Sequence, residues 1–315
     1  KPSGFIEDLD SLPEPAWDLV SLSDYAKLPP MNGMLRHTPY ATIVSSRGCP
    51  FGCTYCHRTM GRGFRSRSPQ SVLREIENLV SVHKAREIHF IDDCFNLDLH
   101  RAKEICRAII ASGLKISIAF PNAIKGDMVD RELVALLKQA GCYSVTLAVE
   151  NVSPRMREVM NKSLDLKKLR TAVNLFDKAE ILTTVYFIYG FPGETEDDLK
   201  LNQDFALKLK SDTTTFFRFI PYPGCELFDR FYHDLKISSI PSREFHFFTE
   251  SGCFNRSRIP AETLASFRRK FYRSYFSDPK RLLRIARKLP KTLPMLMRLP
   301  REALELVLRA FGPGN

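Results

Sequence analysis

The chain has 315 residues, 44% of them hydrophobic and 26% charged, a composition that excludes a disordered, collagen-like or disulfide-scaffold protein. The net charge is +11, but the last 62 residues carry 15 basic and 4 acidic side chains, so the first 253 residues are neutral as a whole. The length allows one large barrel domain or two domains of ordinary size.

The first 40 residues hold six of the twenty prolines in the chain. So many prolines leave little room for a long helix, because each one removes a backbone donor and fixes φ. Residues 1–40 are therefore predicted to form an extended, proline-rich linker.

From residue 41 onward, short apolar runs of β-rich composition alternate with longer stretches of helical periodicity. Successive runs start 28 to 46 residues apart, which is the spacing of strand–helix–strand units with parallel strands. The predicted strands are Ala41–Ser46, Glu87–Asp92, Lys115–Phe120, Ser144–Val149, Thr183–Tyr189 and Thr214–Ile220.

Residues 41–247 are thus predicted to be an α/β domain, a partial (β/α)6 barrel of the TIM type. An open, doubly wound sheet gives the same periodicity, so the pattern leaves both architectures open. In either one, ligands bind at the C-terminal ends of the strands.

Residues 248–315 lack the strand rhythm and are predicted to be a basic helical C-terminal region. Segments such as 267–276 and 282–289 interleave basic with apolar side chains. We expect one face of each helix to pack through apolar residues while the other is cationic.

No stretch reaches the roughly 18 apolar residues of a membrane-spanning helix, and the first residues do not resemble a signal peptide. We therefore expect a cytoplasmic protein. The eight cysteines then point to metal binding or catalysis for some and to buried thiols for others.

The loop after the first strand contains Cys49, Cys53 and Cys56 in a C-x3-C-x2-C spacing. Thiolates this close on a turning loop can converge on one metal centre. Structural zinc usually takes four ligands in two paired sets, and the sequence has no second C-x2-C pair, so zinc is the less favoured alternative. Three thiolates suit an iron–sulfur cluster with one iron left open for a substrate.

This motif, with the aromatic Tyr55 directly before the last cysteine, resembles the signature of the radical S-adenosylmethionine (SAM) superfamily, and the resemblance covers about residues 41–225. It implies that Cys49, Cys53 and Cys56 hold a 4Fe-4S cluster. It also implies that the open iron chelates the amino and carboxylate groups of SAM, and that an electron from the cluster cleaves SAM to a 5'-deoxyadenosyl radical.

The resemblance suggests further cofactor-binding residues at strand ends, together with Tyr55. Asp92 and Asp93 follow the second strand, where the family usually has a Gly-Gly-Glu-like segment that contacts the SAM amino group; the alternative is a helix N-cap. Glu150 ends the fourth strand and resembles an acid that contacts SAM in relatives. Arg218 ends the sixth strand, where a role in the site and ordinary packing are both open.

Two features near the strand ends are interpreted structurally. The glycines of the turn 190–195 suit a tight bend, and Thr195 with Asp198 is predicted to form a capping box at the start of the next helix. Lys162 could help to bind a carboxylate, but a solvated lysine is the favoured interpretation.

The segments 8–19, 90–93 and 219–224 resemble the cobalamin-dependent branch of the superfamily, in which a cobalamin-binding domain precedes the connector. The sequence begins with Lys1 and lacks that domain, so we interpret it as a fragment of a protein that had one. The resemblance implies methylation of an unactivated carbon. Alternatives are a cobalamin-free oxidoreductase or cyclase, a less favoured methylthiotransferase, and a metal-binding module without enzymatic activity.

The same resemblance implies an external reductant, such as flavodoxin or ferredoxin, and a small-molecule or lipid-like substrate. The basic C-terminal region has three interpretations. It is a solvated cap on the barrel, or it binds an anionic membrane surface and places the protein at the membrane periphery. Nucleic acid is the least favoured partner, because no RNA-binding module accompanies the charge.

Overall fold

Six parallel strands form one sheet in a computed structural model that describes residues 4–28, 30–31, 34–57, 59–245 and 254–300. The strands are β1 (Tyr40–Ile43), β2 (Glu87–Phe90), β3 (Ser117–Ile124), β4 (Cys142–Glu150), β5 (Leu182–Tyr189) and β6 (Thr213–Arg218). All six strands predicted from the sequence are present. The clearest difference is β3, which continues four residues beyond the predicted end at Phe120 and through Pro121.

The strands pair in chain order, each one parallel to the strand before and after it. A doubly wound sheet reverses its strand order at a switch point. The sequential order therefore decides for the partial (β/α)6 barrel, whose strand ends all point to the same face.

The connecting segments contain the helices that the periodicity predicted. The α-helices are α1 (Leu22–Tyr25), α2 (Pro69–Ser81), α3 (Leu99–Ala111), α4 (Arg131–Gln139), α5 (Pro154–Val159), α6 (Leu166–Lys178), α7 (Glu196–Lys208), α8 (Glu226–Phe231), α9 (Ala261–Phe276) and α10 (Pro279–Lys288). Residues 293–300 are helical as well. Five crossover helices begin at side-chain N-caps, each worth about 1 kcal/mol: Ser68, Asp98, Asp130, Asp165 and Thr195.

Helices α2, α3, α4 and α6 contact one another in succession, so they cover one side of the sheet. Their apolar stripes are buried there; Val72, Ile76 and Leu79 of α2, for example, have no exposed surface. Within the described residues, no helix combines the length and the hydropathy needed to cross a membrane.

Parts of the segment predicted to be a linker are bonded to the barrel. The carboxylate of Asp10 accepts hydrogen bonds from the backbone N–H of Ser68, and Trp17 Nε1 donates to Glu75 Oε1 over 3.0 Å. At the opposite end of the barrel, backbone N–H groups of the lead-in donate to the buried carboxylate of Glu87. Its role as a boundary between domains stays a prediction.

The C-terminal region is partly described, because residues 246–253 and 301–315 lie outside the described residues. Helix α9 buries Phe271 and Tyr275 against the barrel, as expected. Helix α10 turns the opposite face inward from the one predicted: its basic side packs on the barrel and its apolar side is exposed. Lys288 donates to the buried carboxylate of Asp212 over 3.0 Å, whereas Leu283 is 72% exposed.

The reversal in α10 has an electrostatic cause. Arg284 also donates to Asp212, over 3.0 Å, and Arg281 donates to the backbone oxygens of Leu207 and Tyr275. A buried carboxylate and unpaired carbonyl groups are costly in an apolar environment. The basic stripe therefore faces the barrel, and apolar side chains are left on the outside.

Candidate active site

An open pocket of about 330 Å³ lies where the strands end. The cysteine loop forms one wall, and the ends of β2, β3 and β4 with the loop after α5 form the others. Its lining includes Cys49, Cys53, Tyr55, Cys56, Asp93, Asn122, Lys125, Glu150 and Lys162. The structure thus brings seven of the eight residues predicted for the site to two adjoining pockets, as described below.

Gly48 sets the start of the cysteine loop. Its φ is +84°, and a Cβ atom at this position would lie 2.2 Å from the backbone oxygen of Gly63. Directly after it, the backbone N–H of Cys49 donates to Gly61 over 3.3 Å. Glycine is the residue that tolerates both the left-handed backbone and the close approach.

The other end of the loop is held by the turn after α5. The backbone N–H of Thr54 donates to Met160 over 3.1 Å, and its hydroxyl donates to Val159 over 2.9 Å. The Asn161 amide donates to the backbone oxygen of Gly52 over 3.0 Å. These bonds fix the loop between the barrel and the segment that carries Lys162.

The three thiols lie in one electrostatic environment. Burial, and then the neighbouring Cys53, raises the pKa of Cys49 above its usual value and that of Cys56 to about 11. Metal binding requires thiolates, so an iron centre would have to lower these pKa values. Sulfur donors of this kind suit an iron–sulfur cluster.

Among the described residues, no group of three or more His, Cys, Asp or Glu side chains is arranged to hold a metal ion. The fit to a cluster therefore rests on the chemistry of the three sulfur donors and on their shared pocket. The roles of Cys49, Cys53 and Cys56 as ligands stay a prediction.

The two acids after β2 have different surroundings. Asp92 is 3% exposed and accepts hydrogen bonds from the hydroxyls of Ser45 over 2.7 Å and Ser46 over 2.5 Å. Burial raises its pKa, and these hydroxyls oppose the shift. Asp92 thus holds the two serines that precede the cysteine loop. Asp93 instead lines the pocket and accepts a hydrogen bond from the backbone N–H of Gly48 over 3.0 Å.

Neither acid is the helix N-cap that the sequence left open, because Asp98 caps α3. For Asp92, direct contact with a ligand is not supported: its carboxylate is taken by the two serines. Asp93 keeps its place among the candidates for cofactor binding.

Glu150 ends β4 with a φ of +65°. Its side chain is 12% exposed, and its Oε1 lies 3.9 Å from Lys162 Nζ. Burial raises the pKa of Glu150, while Lys162 and a hydrogen bond with Tyr55 oppose that shift. The backbone geometry turns the carboxylate toward the cysteine loop, where Tyr55 lies.

Two cations line the pocket, Lys162, for which the sequence favoured another interpretation, and Lys125, which it did not single out. Lys162 is 16% exposed, so its interpretation as a solvated lysine is wrong. Lys125 donates to Asp127 over 2.7 Å and to the backbone oxygen of Ser163 over 3.0 Å, and its ammonium lies 4.8 Å from the centre of the Phe51 ring. The predicted end of β3 at Phe120 was too early to place Lys125 at a strand end.

Arg218 lines a second pocket, of about 210 Å³. Tyr55 and Glu150 line both pockets, so the two spaces adjoin at these residues. Arg218 donates to the backbone oxygen of Glu244 over 2.6 Å and lies 3.9 Å from its carboxylate. It therefore lies next to the cysteine pocket without lining it.

The turn after β5 is structural, as predicted. Thr195 and Asp198 form the capping box at the start of α7. The buried carboxylate of Glu194 accepts from the backbone N–H groups of Gly190 and Phe191 and from the Asn151 amide. Burial raises the pKa of Glu194 to about 7.

Comparison with protein families matches residues 43–206, just over half of the chain, to the radical SAM superfamily. The chain belongs to this superfamily, whose members use a 4Fe-4S cluster and SAM. The match begins in β1 and ends in α7, and it includes the cysteine loop and Glu150.

Two curated proteins illustrate its relatives. An uncharacterized methyltransferase of Pyrococcus horikoshii is 28% identical over 285 residues, which cover 90% of this chain and 60% of that protein. An anaerobic magnesium-protoporphyrin IX monomethyl ester cyclase of Cereibacter sphaeroides is 27% identical over 230 residues, 71% of this chain and 36% of the other. The chain thus spans only part of the length of these relatives.

The fold is similar to that of the radical SAM methyltransferase TsrM of Kitasatospora setae, solved with cobalamin and a [4Fe-4S] cluster bound. The TM-score is 0.55 at 23% identity, over 60% of this chain and 38% of the other. At this identity the likeness supports the fold, which agrees with the sequential six-stranded barrel.

Proposed function

We propose that the protein is a radical SAM enzyme that methylates an unactivated carbon. The observation that carries the proposal is the single pocket in which three cysteines of the family motif face Glu150 and Lys162. The similarity to a protein named as a methyltransferase over 90% of this chain supports the type of reaction.

In this proposal Cys49, Cys53 and Cys56 hold a 4Fe-4S cluster. When bound, the cluster supplies the electron that cleaves SAM. Asp93 offers a carboxylate for the ammonium group of SAM, and Lys162 offers a cation for its carboxylate, since charge-assisted hydrogen bonds are the strong ones. Tyr55 and Glu150 line the same pocket and are proposed as further contacts of SAM.

Anaerobic reconstitution with iron and sulfide tests the proposal. We expect a broad absorption band at the blue end of the visible spectrum and, with a reductant and SAM, 5'-deoxyadenosine. Cys53→Ala should lose both signals, whereas the matched variant Cys106→Ala, in the core face of α3, should keep them. A colourless reconstituted protein, or activity in Cys53→Ala, would contradict the proposal.

Ring formation is a second candidate function, supported by the similarity to the protoporphyrin ester cyclase. Product analysis separates the two reactions. Methyl transfer from SAM yields S-adenosylhomocysteine and replaces one hydrogen of the substrate with a methyl group, which raises the substrate mass by one CH₂. Ring formation without methyl transfer leaves S-adenosylhomocysteine absent and does not add a methyl group to the substrate.

Cobalamin is proposed as a further cofactor, because the TsrM structure was solved with it bound. None of the described residues is assigned to it. We propose that a separate cobalamin-binding domain holds it. Titration of this chain with hydroxocobalamin, followed by gel filtration and absorbance, should then show cobalamin eluting apart from the protein, and co-elution would contradict the proposal.

Radical SAM enzymes generally need an external reductant and a small-molecule substrate. We propose a flavodoxin or ferredoxin as the reductant. Reduction by either protein, measured as 5'-deoxyadenosine formation without dithionite, tests this. Failure of both in the presence of an active dithionite control would contradict it.

We also propose attachment to an anionic membrane. The sequence based this on basic side chains, whereas the structure offers exposed apolar ones. Leu282, Leu283, Leu293 and Met297 are exposed, while Lys288 is turned inward. Vesicles of phosphatidylcholine with and without phosphatidylglycerol should distinguish the cases by co-sedimentation. Leu283→Glu should reduce binding to anionic vesicles, and absence of wild-type binding to both would contradict the proposal.

A further inference from the structure

A cavity of about 280 Å³ lies between the N-terminal segment 9–17, the end of β1 and the start of α2. Among the described strands β1 pairs with β2 alone, so the cavity lies at an outer edge of the sheet. None of the residues that line it lines the cysteine pocket or the second pocket. It is therefore a separate space, and the proposed function does not use it.

Two charged residues of the cavity wall neutralise each other. Arg67 forms an ion pair with Glu75, and its guanidinium also donates to the hydroxyl of Ser71 over 3.1 Å. Glu75 accepts a further hydrogen bond from Trp17 Nε1 over 3.0 Å. The pair of Arg67 and Glu75 thus adds no net charge to the wall.

The other two arginines of the wall are Arg47 and Arg74. Neither side chain makes a hydrogen bond or an ion pair with another residue in the described part of the chain. Glu14, the second acid of the wall, accepts a hydrogen bond from the side-chain amide of Asn78 over 3.0 Å. Two unpaired guanidinium groups, one directly before the cysteine loop and one on α2, therefore line the same cavity.

Much of the remaining wall is apolar. Leu12 and Trp17 line the cavity from the N-terminal segment, and Val44 and Ile91 line it from the ends of the first two strands. A few charged groups in an apolar wall suit a ligand with an apolar body and one charged group. The volume is just below the roughly 300–1,000 Å³ of pockets for drug-sized ligands, so the apolar body would be small, such as a single ring.

The two unpaired guanidinium groups indicate the type of charged group. Guanidinium binds carboxylate and phosphate through its paired N–H donors. A carboxylate carries a single negative charge, whereas a phosphate monoester carries about −1.5 to −2 near neutral pH. A phosphate therefore matches the two cations better than a carboxylate does.

We propose that this cavity binds a small, soluble phosphate monoester, with the phosphate at Arg47 and Arg74 and the apolar body against Leu12 and Trp17. The inference does not rest on the proposed function, since the two sites share no lining residue. It assigns the chain a second binding site, outside the pocket of the three cysteines.

Fluorescence of Trp17 tests the proposal, because this is the only tryptophan of the 315-residue chain. The full chain, without cluster or SAM, is titrated with three probes. Phenyl phosphate has both the ring and the double charge, phenyl sulfate has a similar shape with one negative charge, and inorganic phosphate lacks the ring. We expect a saturable change with phenyl phosphate, and weaker binding of the other two.

Variants of the two arginines locate the bound probe. Arg47→Gln and Arg74→Gln should each weaken the binding of phenyl phosphate by roughly 10- to 100-fold, because each removes one charge-assisted contact. Arg131→Gln, at an exposed position of α4, is the matched control and should leave the affinity unchanged. Circular dichroism checks the fold, and the exposed Arg74 gives the test where Arg47→Gln does not fold.

Each arm has an outcome that would overturn the inference. The absence of a saturable fluorescence change at millimolar phenyl phosphate, or wild-type affinity in the folded Arg74→Gln chain, would remove the site. Equal affinity for phenyl sulfate would overturn the assignment of a phosphate, and equal affinity for inorganic phosphate would overturn that of an apolar body. An equal loss in Arg131→Gln would show that the probe responds to the overall charge of the protein and not to this cavity.

Discussion

The ammonium of Lys162 lies 3.9 Å from the carboxylate of Glu150, although Lys162 follows α5 and Glu150 ends β4. The Asn161 amide makes this contact feasible, because it holds the turn before Lys162 to the backbone of Gly52. The same turn therefore positions both the cysteine loop and the cation that faces Glu150.

Lys162→Met should weaken SAM binding to the reconstituted protein by roughly 10- to 100-fold, since it removes a charge-assisted contact of about 1.5–3 kcal/mol. Lys162→Arg should retain most of the affinity, and Lys167→Met, an exposed change on α6, should have no effect. Equilibrium binding of SAM measures the three variants. Wild-type affinity in Lys162→Met would remove this lysine from the cofactor site.

Gly48→Ala should prevent formation of the cysteine loop, because its methyl group would lie 2.2 Å from the Gly63 oxygen. Iron and sulfide content after reconstitution should fall sharply. Gly113→Ala is the matched control: its φ is +69° but no atom lies within 4 Å, so it should cost only about 1–2 kcal/mol of backbone strain. Equal iron content in both variants would show that the clash does not matter.

Glu194 should make stability depend on pH. Burial raises its pKa from 4.5 to about 7, so between these values the folded state keeps a proton that the unfolded state releases. Its contribution is largest below pH 4.5 and declines as pH rises toward 7, by at most about 1.4 kcal/mol per pH unit. Thermal unfolding of wild type and Glu194→Gln from pH 5 to 8 should show this slope in the wild type alone.

Asp212→Asn should destabilise the chain by about 3 kcal/mol, because it removes one of the two carboxylates that pair with the buried Lys288 and the carboxylate that accepts from Arg284. The side chains of Asp212 and Lys288 have no exposed surface. Glu180→Gln removes the exposed partner of Arg287 and should cost at most about 1 kcal/mol. Urea unfolding gives both values, and similar losses would contradict the buried pairing.

The sequence was sufficient to predict the six strands and the cysteine loop, because both depend on local patterns. It could not predict the partners of Lys162, since that contact depends on a hydrogen bond from the Asn161 side-chain amide to the backbone oxygen of Gly52. Asp92 and Asp93 are adjacent, yet one supports the serines below the loop and the other lines the pocket. Neighbouring side chains in extended backbone point in opposite directions, but the sequence does not show which of the two acids faces the pocket.

The sequence was also insufficient to predict which face of helix α10 is buried. Its amphipathic pattern is compatible with either face turned inward, and the choice depends on Asp212, about seventy residues earlier in the chain. An acid buried at the base of β6 outweighs the usual preference for burying leucines, because an unpaired buried charge is more costly than an exposed apolar side chain.

From the inward-facing basic stripe we expect a chain shortened before α10 to lose stability. A chain cut after the family match at residue 206 would lose β6, and one cut after residue 247 would keep Asp212 but lose Arg284 and Lys288. It would also uncover the barrel surface that Phe271 and Tyr275 bury. Arg284 and Lys288 of the C-terminal region thus act within the molecule, as counter-charges of the buried Asp212.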